Sequence, residues 1–219
     1  MSDHGRMHAQ RQGGSATPES DIAPQLYPRV TSFRSRRAAL TEQQQDVWDR
    51  LWPRLGTLAR PAGTGAEPTP AEPIDTEAWF GRRAPVVLEI GCGTGTSTLA
   101  QSEPDIDVVA VEVYRRGLAQ LLGGIDRESV SNIRLVRGDG VDVLERMFAT
   151  ATLTGVRVFF PDPWPKSRHH KRRLLKPDFV HALALRLATG GYLHAATDWS
   201  DYAEEILATL SSEPLLANT

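Results

Sequence analysis

Short apolar runs alternate with amphipathic stretches through the second half of the chain, and this order predicts strands alternating with helices. Strands are predicted at residues 86–90, 108–113, 133–136, 156–160 and 192–196. Helices are predicted at residues 96–102, 115–122, 141–147, 176–187 and 201–210. The alternation favours an α/β fold with a mostly parallel central sheet and helices on both faces.

The first third of the chain lacks this alternation and divides by composition. Residues 1–28 are polar and are expected to form a disordered tail. Residues 29–60 are read as a basic arm followed by a short helix that starts at the N-cap Thr41. Residues 61–76 are rich in Pro and Gly and predict a loop, which leaves residues 77–219 as the main domain.

Composition narrows the class of protein without naming one. The net charge of the 219 residues is -2, so any nucleic-acid binding must come from local clusters of cations. The single cysteine, Cys92, excludes an internal disulfide. No apolar run approaches the roughly 20 residues that span a bilayer, and no signal peptide is evident. The chain is therefore expected to be cytoplasmic.

A glycine-rich turn follows the first predicted strand, with acids at the ends of the next strands. Gly91, Gly93 and Gly95 are spaced as G-x-G-x-G, whereas dinucleotide sites have the third glycine one residue later. Glu89 would also repel a pyrophosphate. Glu89 instead suits a cationic amino-acid end. Glu112 is placed to accept the hydroxyls of a ribose, and Asp139 the amino group of an adenine. Together these positions predict S-adenosylmethionine as the ligand.

Residues 160–173 join one acid to a dense group of cations. Asp162 lies between two prolines just after a predicted strand, and Trp164 follows it. The cations are Lys166, Arg168, Lys171, Arg172 and Arg173. Such a cluster is either a solvated face or a contact with a polyanion, and its place beside a site favours RNA. The adjacent His169 and His170 lack a third ligand, so no metal is expected.

The two motifs resemble a known family. The sequence Leu-Glu-Ile-Gly-Cys-Gly-Thr-Gly at 88–95 resembles motif I of class I S-adenosylmethionine-dependent methyltransferases. The sequence Phe-Pro-Asp-Pro-Trp-Pro-Lys at 160–166, with the cations after it, is similar to the bacterial tRNA (guanine-N7)-methyltransferases. The resemblance implies a Rossmann-like class I methyltransferase fold. It also implies 7-methylguanosine formation in tRNA, typically at position 46 of the variable loop.

The resemblance also implies roles for individual residues. The cofactor-binding positions are Glu89, Gly91, Gly93, Glu112, Asp139 and Asp162. Asp162 is also the catalytic position. The substrate-binding positions are Lys166, Arg168, His169, His170, Lys171, Arg172, Arg173 and Asp198. Trp164 is open to two interpretations, stacking on a base or bracing the turn by packing.

Two departures and two alternatives accompany this interpretation. The family usually continues into a Thr-Lys-Phe-Glu segment, which these residues do not contain, so the C-terminal strands of the sheet are expected to be missing. The residues Arg-Ala-Ala-Leu at 37–40 replace a more typical Gly-Arg pair. The alternatives are an RNA-binding module with a vestigial cofactor pocket and an enzyme that methylates an amino group of a nucleic acid. A monomer and a homodimer are both open.

Overall fold

The computed structural model describes residues 39–59 and 73–219, together with the backbone of a strand at Gly5–Ala9. The strands are β1 Gly5–Ala9, β2 Gly56–Leu58, β3 Val86–Ile90, β4 Asp107–Glu112, β5 Ile133–Arg137, β6 Leu153–Phe159, β7 Leu187–Ala196 and β8 Leu216–Asn218. The helices are α1 Glu42–Leu55, α2 Thr76–Phe80, α3 Thr96–Ala100, α4 Arg115–Glu128, α5 Gly140–Met147, α6 Pro177–Arg186 and α7 Ser200–Ser212, with a 3-10 helix at Ser167–Arg172.

The strands form one sheet in the order β2-β5-β4-β3-β6-β7-β1-β8. The strands from β2 to β7 in this order pair in parallel. β1 runs antiparallel to both of its neighbours. This is the α/β fold that the alternating pattern predicted and the Rossmann-like architecture that the resemblance implied. Each predicted strand is present, with ends that match the prediction or differ by up to five residues.

Helices cover both faces of the sheet, because the buried strands are apolar on both sides. In β4, Val109 and Val111 pack into a core that includes α5, α6 and α7. Val108 and Ala110 of the same strand pack into a second core with α1 and α4. Two cores of alternating side chains are what a parallel sheet buried on both faces requires. The prediction of helices on both faces is confirmed.

The expectation that the C-terminal strands are missing is wrong in part. Residues Leu216–Asn218 form β8 in the sheet. Its partner is β1, which comes from the segment predicted to be disordered and pairs Met7 with Asn218. A local pattern cannot show this, because the two paired segments lie at opposite ends of the chain. The basic arm at 30–37 and most of the predicted loop at 61–76 lie outside the described residues.

The boundary before the fifth predicted strand also differs from the prediction. The fifth strand is predicted to start at residue 192, yet β7 starts at Leu187 and includes the glycine pair at 190–191. The pairing of β6 with β7 shifts register between Leu153 and Gly155, and Gly190 has a left-handed φ of +81°. The irregularity absorbs the extra residues, so the strand resumes at Tyr192 and delivers its end beside β6.

Candidate active site

The glycine turn after β3 leaves open space beside its backbone. Gly91 and Gly93 have φ values of +78° and +57°, a region that residues with a Cβ seldom adopt. The amides of Gly91 and Cys92 donate to the Val111 carbonyl at 2.9 and 3.0 Å, which ties the turn to β4. A Cβ added at Gly91 or Gly93 would meet no described atom within 4 Å. A ligand can therefore approach this backbone closely.

Glu89 lies buried at the floor of this turn with one carboxylate oxygen unmatched. The Thr98 hydroxyl donates to Oε1 at 2.8 Å. Oε2 is buried and has no hydrogen-bond partner among the described residues. Burial raises the pKa of Glu89, although the Thr98 hydrogen bond and the charge of Arg157 oppose the rise. A buried acceptor of this kind fits a cationic donor supplied by a ligand.

Glu112, at the end of β4, is held by three backbone amides. Val113 and Tyr114 donate to Oε1 at 2.6 and 3.0 Å. Gly93 donates to Oε2 at 3.0 Å, which links the acid to the glycine turn. The carboxylate is thus fixed before any ligand arrives, and its remaining lone pairs suit the two hydroxyls of a ribose.

Asp139 follows β5 and caps α5. Its Oδ1 accepts from the Val141 amide at 2.8 Å, and the side chain is half-buried. Asp139 is therefore the N-cap of α5. It also completes a row, because Glu89, Glu112 and Asp139 lie at the ends of the neighbouring strands β3, β4 and β5.

The segment that carries Asp162 leaves β6 in a strained conformation. Phe160 and Trp164 both have left-handed φ values, +49° and +47°. The Phe160 amide donates to the Ala196 carbonyl at 2.8 Å. This hydrogen bond attaches the start of the segment to the end of β7. Strained backbone of this type is found at functional sites. It commonly persists only where the surroundings hold it in place.

Asp162 and Asp198 follow the ends of two paired strands. Phe159 of β6 pairs with Ala196 of β7, and each aspartate comes two or three residues later. Both side chains are exposed. Within the described residues, neither carboxylate has an assigned hydrogen bond or ion pair. The predicted acids thus lie at the same edge of the sheet, spread over five neighbouring strands.

Most of the predicted cations lie on a short 3-10 helix directly after Asp162. Lys166, Arg168 and Lys171 are exposed, as a phosphate contact requires. Desolvation, and after it the charges of the neighbouring cations, lower the pKa of His169. His170 lies 3.8 Å from Asp201.

Trp164 packs inside this segment. The Arg172 guanidinium lies 4.9 Å from the centre of the Trp164 ring, and His169 meets the ring edge at 5.9 Å. The indole is half-buried. This arrangement realises the packing interpretation of Trp164, and part of the ring stays accessible.

Arg173 is the exception among the predicted tRNA-contacting residues. Its side chain is 1% exposed and forms ion pairs with Asp201 and Glu205 of α7. A side chain buried to this degree cannot reach a phosphate on the surface. The structure therefore gives no support to a phosphate contact by the Arg173 side chain, because two acids of α7 hold it inward.

Sequence reasoning missed the residues that support the predicted ones. Thr98 orients Glu89, and the buried Arg157 is its neighbour in register on β6. Thr98 comes three residues after the glycine turn and faces β3. The helical period of α3 was the signal that could have predicted this orientation. The position of Arg157 on a buried strand was the available signal, because an unpaired cation is rarely placed there.

Neither a membrane span nor a metal cluster is found in the described part of the chain. No helix there is long and apolar enough to cross a bilayer. No group of three or more His, Cys, Asp or Glu residues there could hold a metal ion.

Comparison with known proteins identifies the family. Residues 83–219 match a family model described as "Putative methyltransferase". The chain is 62% identical over 228 residues to the tRNA (guanine-N(7)-)-methyltransferase of Mycolicibacterium gilvum, covering 99% of this chain and 85% of the relative. The chain belongs to this family. The corresponding enzyme of Mycolicibacterium vanbaalenii is 64% identical over 227 residues, with 99% and 85% covered.

Membership of the tRNA (guanine-N7)-methyltransferase family confirms the resemblance that the two motifs indicated. The cofactor residues also fit S-adenosylmethionine on structural grounds. Glu89 Oε2 offers an unmatched acceptor to an ammonium group, and the backbone beside Gly91 and Gly93 is open. Glu112 lies fixed at the next strand end.

Proposed function

We propose that the chain transfers the methyl group of S-adenosylmethionine to N7 of a guanine in tRNA, at position 46 of the variable loop. The observation that carries the proposal is the meeting of two features at one edge of the sheet. The cofactor turn follows β3, and the Asp162 segment with its exposed cations follows the neighbouring strand β6. The printed activity of the relatives supports tRNA as the substrate.

Each cofactor residue has a task that its surroundings explain. Glu89 would accept from the ammonium group, because its buried Oε2 has no other partner among the described residues. Glu112 would accept from the ribose hydroxyls, and Asp139 from the adenine amino group. When bound, the cofactor supplies an activated methyl group on a sulfonium. The protein residues hold that group in one orientation.

The reaction asks for placement more than for proton transfer. Guanine N7 carries a lone pair in the ring plane, and it forms a bond to the methyl carbon as the carbon–sulfur bond breaks. The bonding pair returns to sulfur, and the positive charge passes to the purine. In-line placement of the two reactants is worth several kcal/mol, of the order of 7–11 kcal/mol in well-oriented systems.

An exposed carboxylate would serve the purine in two ways. It stabilises the charge that develops on the ring, and it accepts hydrogen bonds from N1–H and N2–H of guanine. Asp162 and Asp198 both follow adjacent strands and both lack an assigned partner among the described residues. Either aspartate fits either role.

The exposed cations would hold the backbone of the tRNA. Lys166, Arg168 and Lys171 lie on the surface just beyond Asp162. Contacts of this kind release counterions, so binding weakens as salt rises. We place this activity in the cytoplasm, and sedimentation of the purified chain would distinguish a monomer from a homodimer.

One assay tests the function. Unmodified tRNA is incubated with the chain and labelled S-adenosylmethionine, and the methylated nucleoside is identified by mass spectrometry. We expect 7-methylguanosine, and none when guanine 46 is replaced by adenine. N6-methyladenosine without 7-methylguanosine would support the amino-group alternative. Absence of cofactor binding in calorimetry would support the module with a vestigial pocket.

A further inference from the structure

Arg173 joins the two acidic segments of the site through one buried guanidinium. Its Nε donates to the Pro163 carbonyl at 2.9 Å, directly after Asp162. Its Nη1 and Nη2 donate to Glu205 and Asp201 on α7. Helix α7 begins at Ser200, two residues beyond Asp198. The same side chain therefore connects the segment after β6 to the helix that follows β7.

The pairing keeps this arginine charged inside the protein. Burial by itself lowers the pKa of Arg173, but its hydrogen bonds to Asp201 and Glu205 raise it overall. The hydrogen bond from Arg173 lowers the pKa of Asp201 in turn. The guanidinium also lies 4.7 Å from the centre of the Tyr202 ring. A planar guanidinium with partners in three directions fixes orientation in a way that a lysine cannot.

The contact with Pro163 gives this arrangement a functional meaning. Trp164, one residue further on, has a left-handed backbone, so the turn needs support to persist. Arg173 holds the carbonyl next to Asp162 by a hydrogen bond from its side chain. The Arg173 side chain is shielded from solvent, whereas Lys171 and the other exposed cations are accessible to it.

We propose that Arg173 is a positioning residue that fixes the Asp162 segment against α7 and so sets where Asp162 stands relative to Asp198. The proposal rests on the proposed function, because both aspartates are assigned there to the guanine. It gives Arg173 no contact with tRNA, cofactor or the reacting atoms. Asp201 and Glu205 hold the Arg173 guanidinium in place from α7.

The test replaces Arg173 by lysine, which keeps the charge and removes the fork. We expect kcat to fall about 10- to 100-fold, as misplacement by about an ångström can do. The KM for S-adenosylmethionine, the Kd for tRNA and the salt dependence of that Kd should stay within about twofold. The matched control is Tyr202→Phe, which removes the hydroxyl that accepts from the Leu175 amide and leaves the Pro163 contact. It should lower the melting temperature while kcat is kept.

Three outcomes would overturn the proposal. These are an unchanged kcat in folded Arg173→Lys, a lower salt slope for tRNA binding in that variant, and an equal loss of kcat in Tyr202→Phe. If Arg173→Lys does not fold, Asp201→Asn replaces it and should lower kcat by a smaller factor without changing the salt slope. An unchanged kcat there would equally overturn the proposal. A failure of the proposed function differs from all of these, because the unsubstituted chain would then form no 7-methylguanosine.

Discussion

The acids of the cofactor side and the acids of the RNA side are held in opposite ways. Glu89 and Glu112 are buried and already accept from a hydroxyl or from backbone amides. Asp162 and Asp198 are exposed, with no assigned partner among the described residues. A small ligand of constant shape permits a preformed site. A polymer needs an open edge, so under the proposed function the substrate itself would complete the surroundings of Asp162 and Asp198.

The largest effect is expected at Asp162, the position that the family resemblance implies as catalytic. Asp162→Ala should lower kcat by about 10²–10³-fold, the usual cost of removing one group that stabilises developing charge. The Kd for S-adenosylmethionine should stay within about tenfold, since the buried acids are intact. Single-turnover methylation and calorimetry measure the two quantities. Asp178→Ala, an exposed acid on α6, is the control, and near-normal turnover by Asp162→Ala would refute the assignment.

The next effect is expected on the cofactor side, at the buried acceptor Glu89 Oε2. Glu89→Gln should weaken cofactor binding by about 10- to 100-fold, since hydrogen bonds to charged groups contribute about 1.5–3 kcal/mol. Glu103→Gln changes an exposed acid and should leave the affinity alone. Equal affinities for Glu89→Gln and the unsubstituted chain would remove Glu89 from the cofactor site.

A pH titration sharpens the same contrast. Burial raises the pKa of Glu89 in the folded protein, so the folded state takes up this proton at higher pH than the unfolded chain does. Its ionised form therefore opposes folding above the ordinary carboxyl pKa, and protonation relieves this as pH falls. Protonation also removes the charge that the ammonium needs. Cofactor affinity should fall as pH drops through the raised pKa, and Glu89→Gln should flatten that curve.

A smaller effect is expected at the exposed cations. Replacing Lys171 or Arg168 by alanine should weaken tRNA binding and reduce the slope of log K against log salt by about 1 for each phosphate that is no longer neutralised. Cofactor affinity should not change. Arg127→Ala is the matched control, because this exposed arginine lies at the end of α4. Equal slopes in all the variants would leave the cluster as a solvated face.

The two sides were also unequally visible in the sequence. The buried strands were predictable because parallel strands covered on both faces read as continuous apolar runs, as in Val86–Ile90. The acids were predictable because carboxyl ends of parallel strands share one edge. Arg173 was not, because it looks like its neighbours in a basic run. Its inward turn depends on Asp201 and Glu205, which lie 28 and 32 residues away in the chain.

The edge of the sheet was hidden for a related reason. Leu216–Asn218 is too short to signal a strand, and β2 has only the three residues Gly56–Leu58. Both depend on a partner that is distant in the chain. Sequence periodicity reports local structure, whereas short edge strands exist only through their pairing.

The strand Gly5–Ala9 couples the stability of segments at opposite ends of the sequence. Among the described strands, β8 pairs with β1 alone, and β1 joins it to β7. Loss of the β1 pairing would therefore also release β8 from the sheet. This edge of the sheet would then open as a unit, because β1 is what holds β8 to β7.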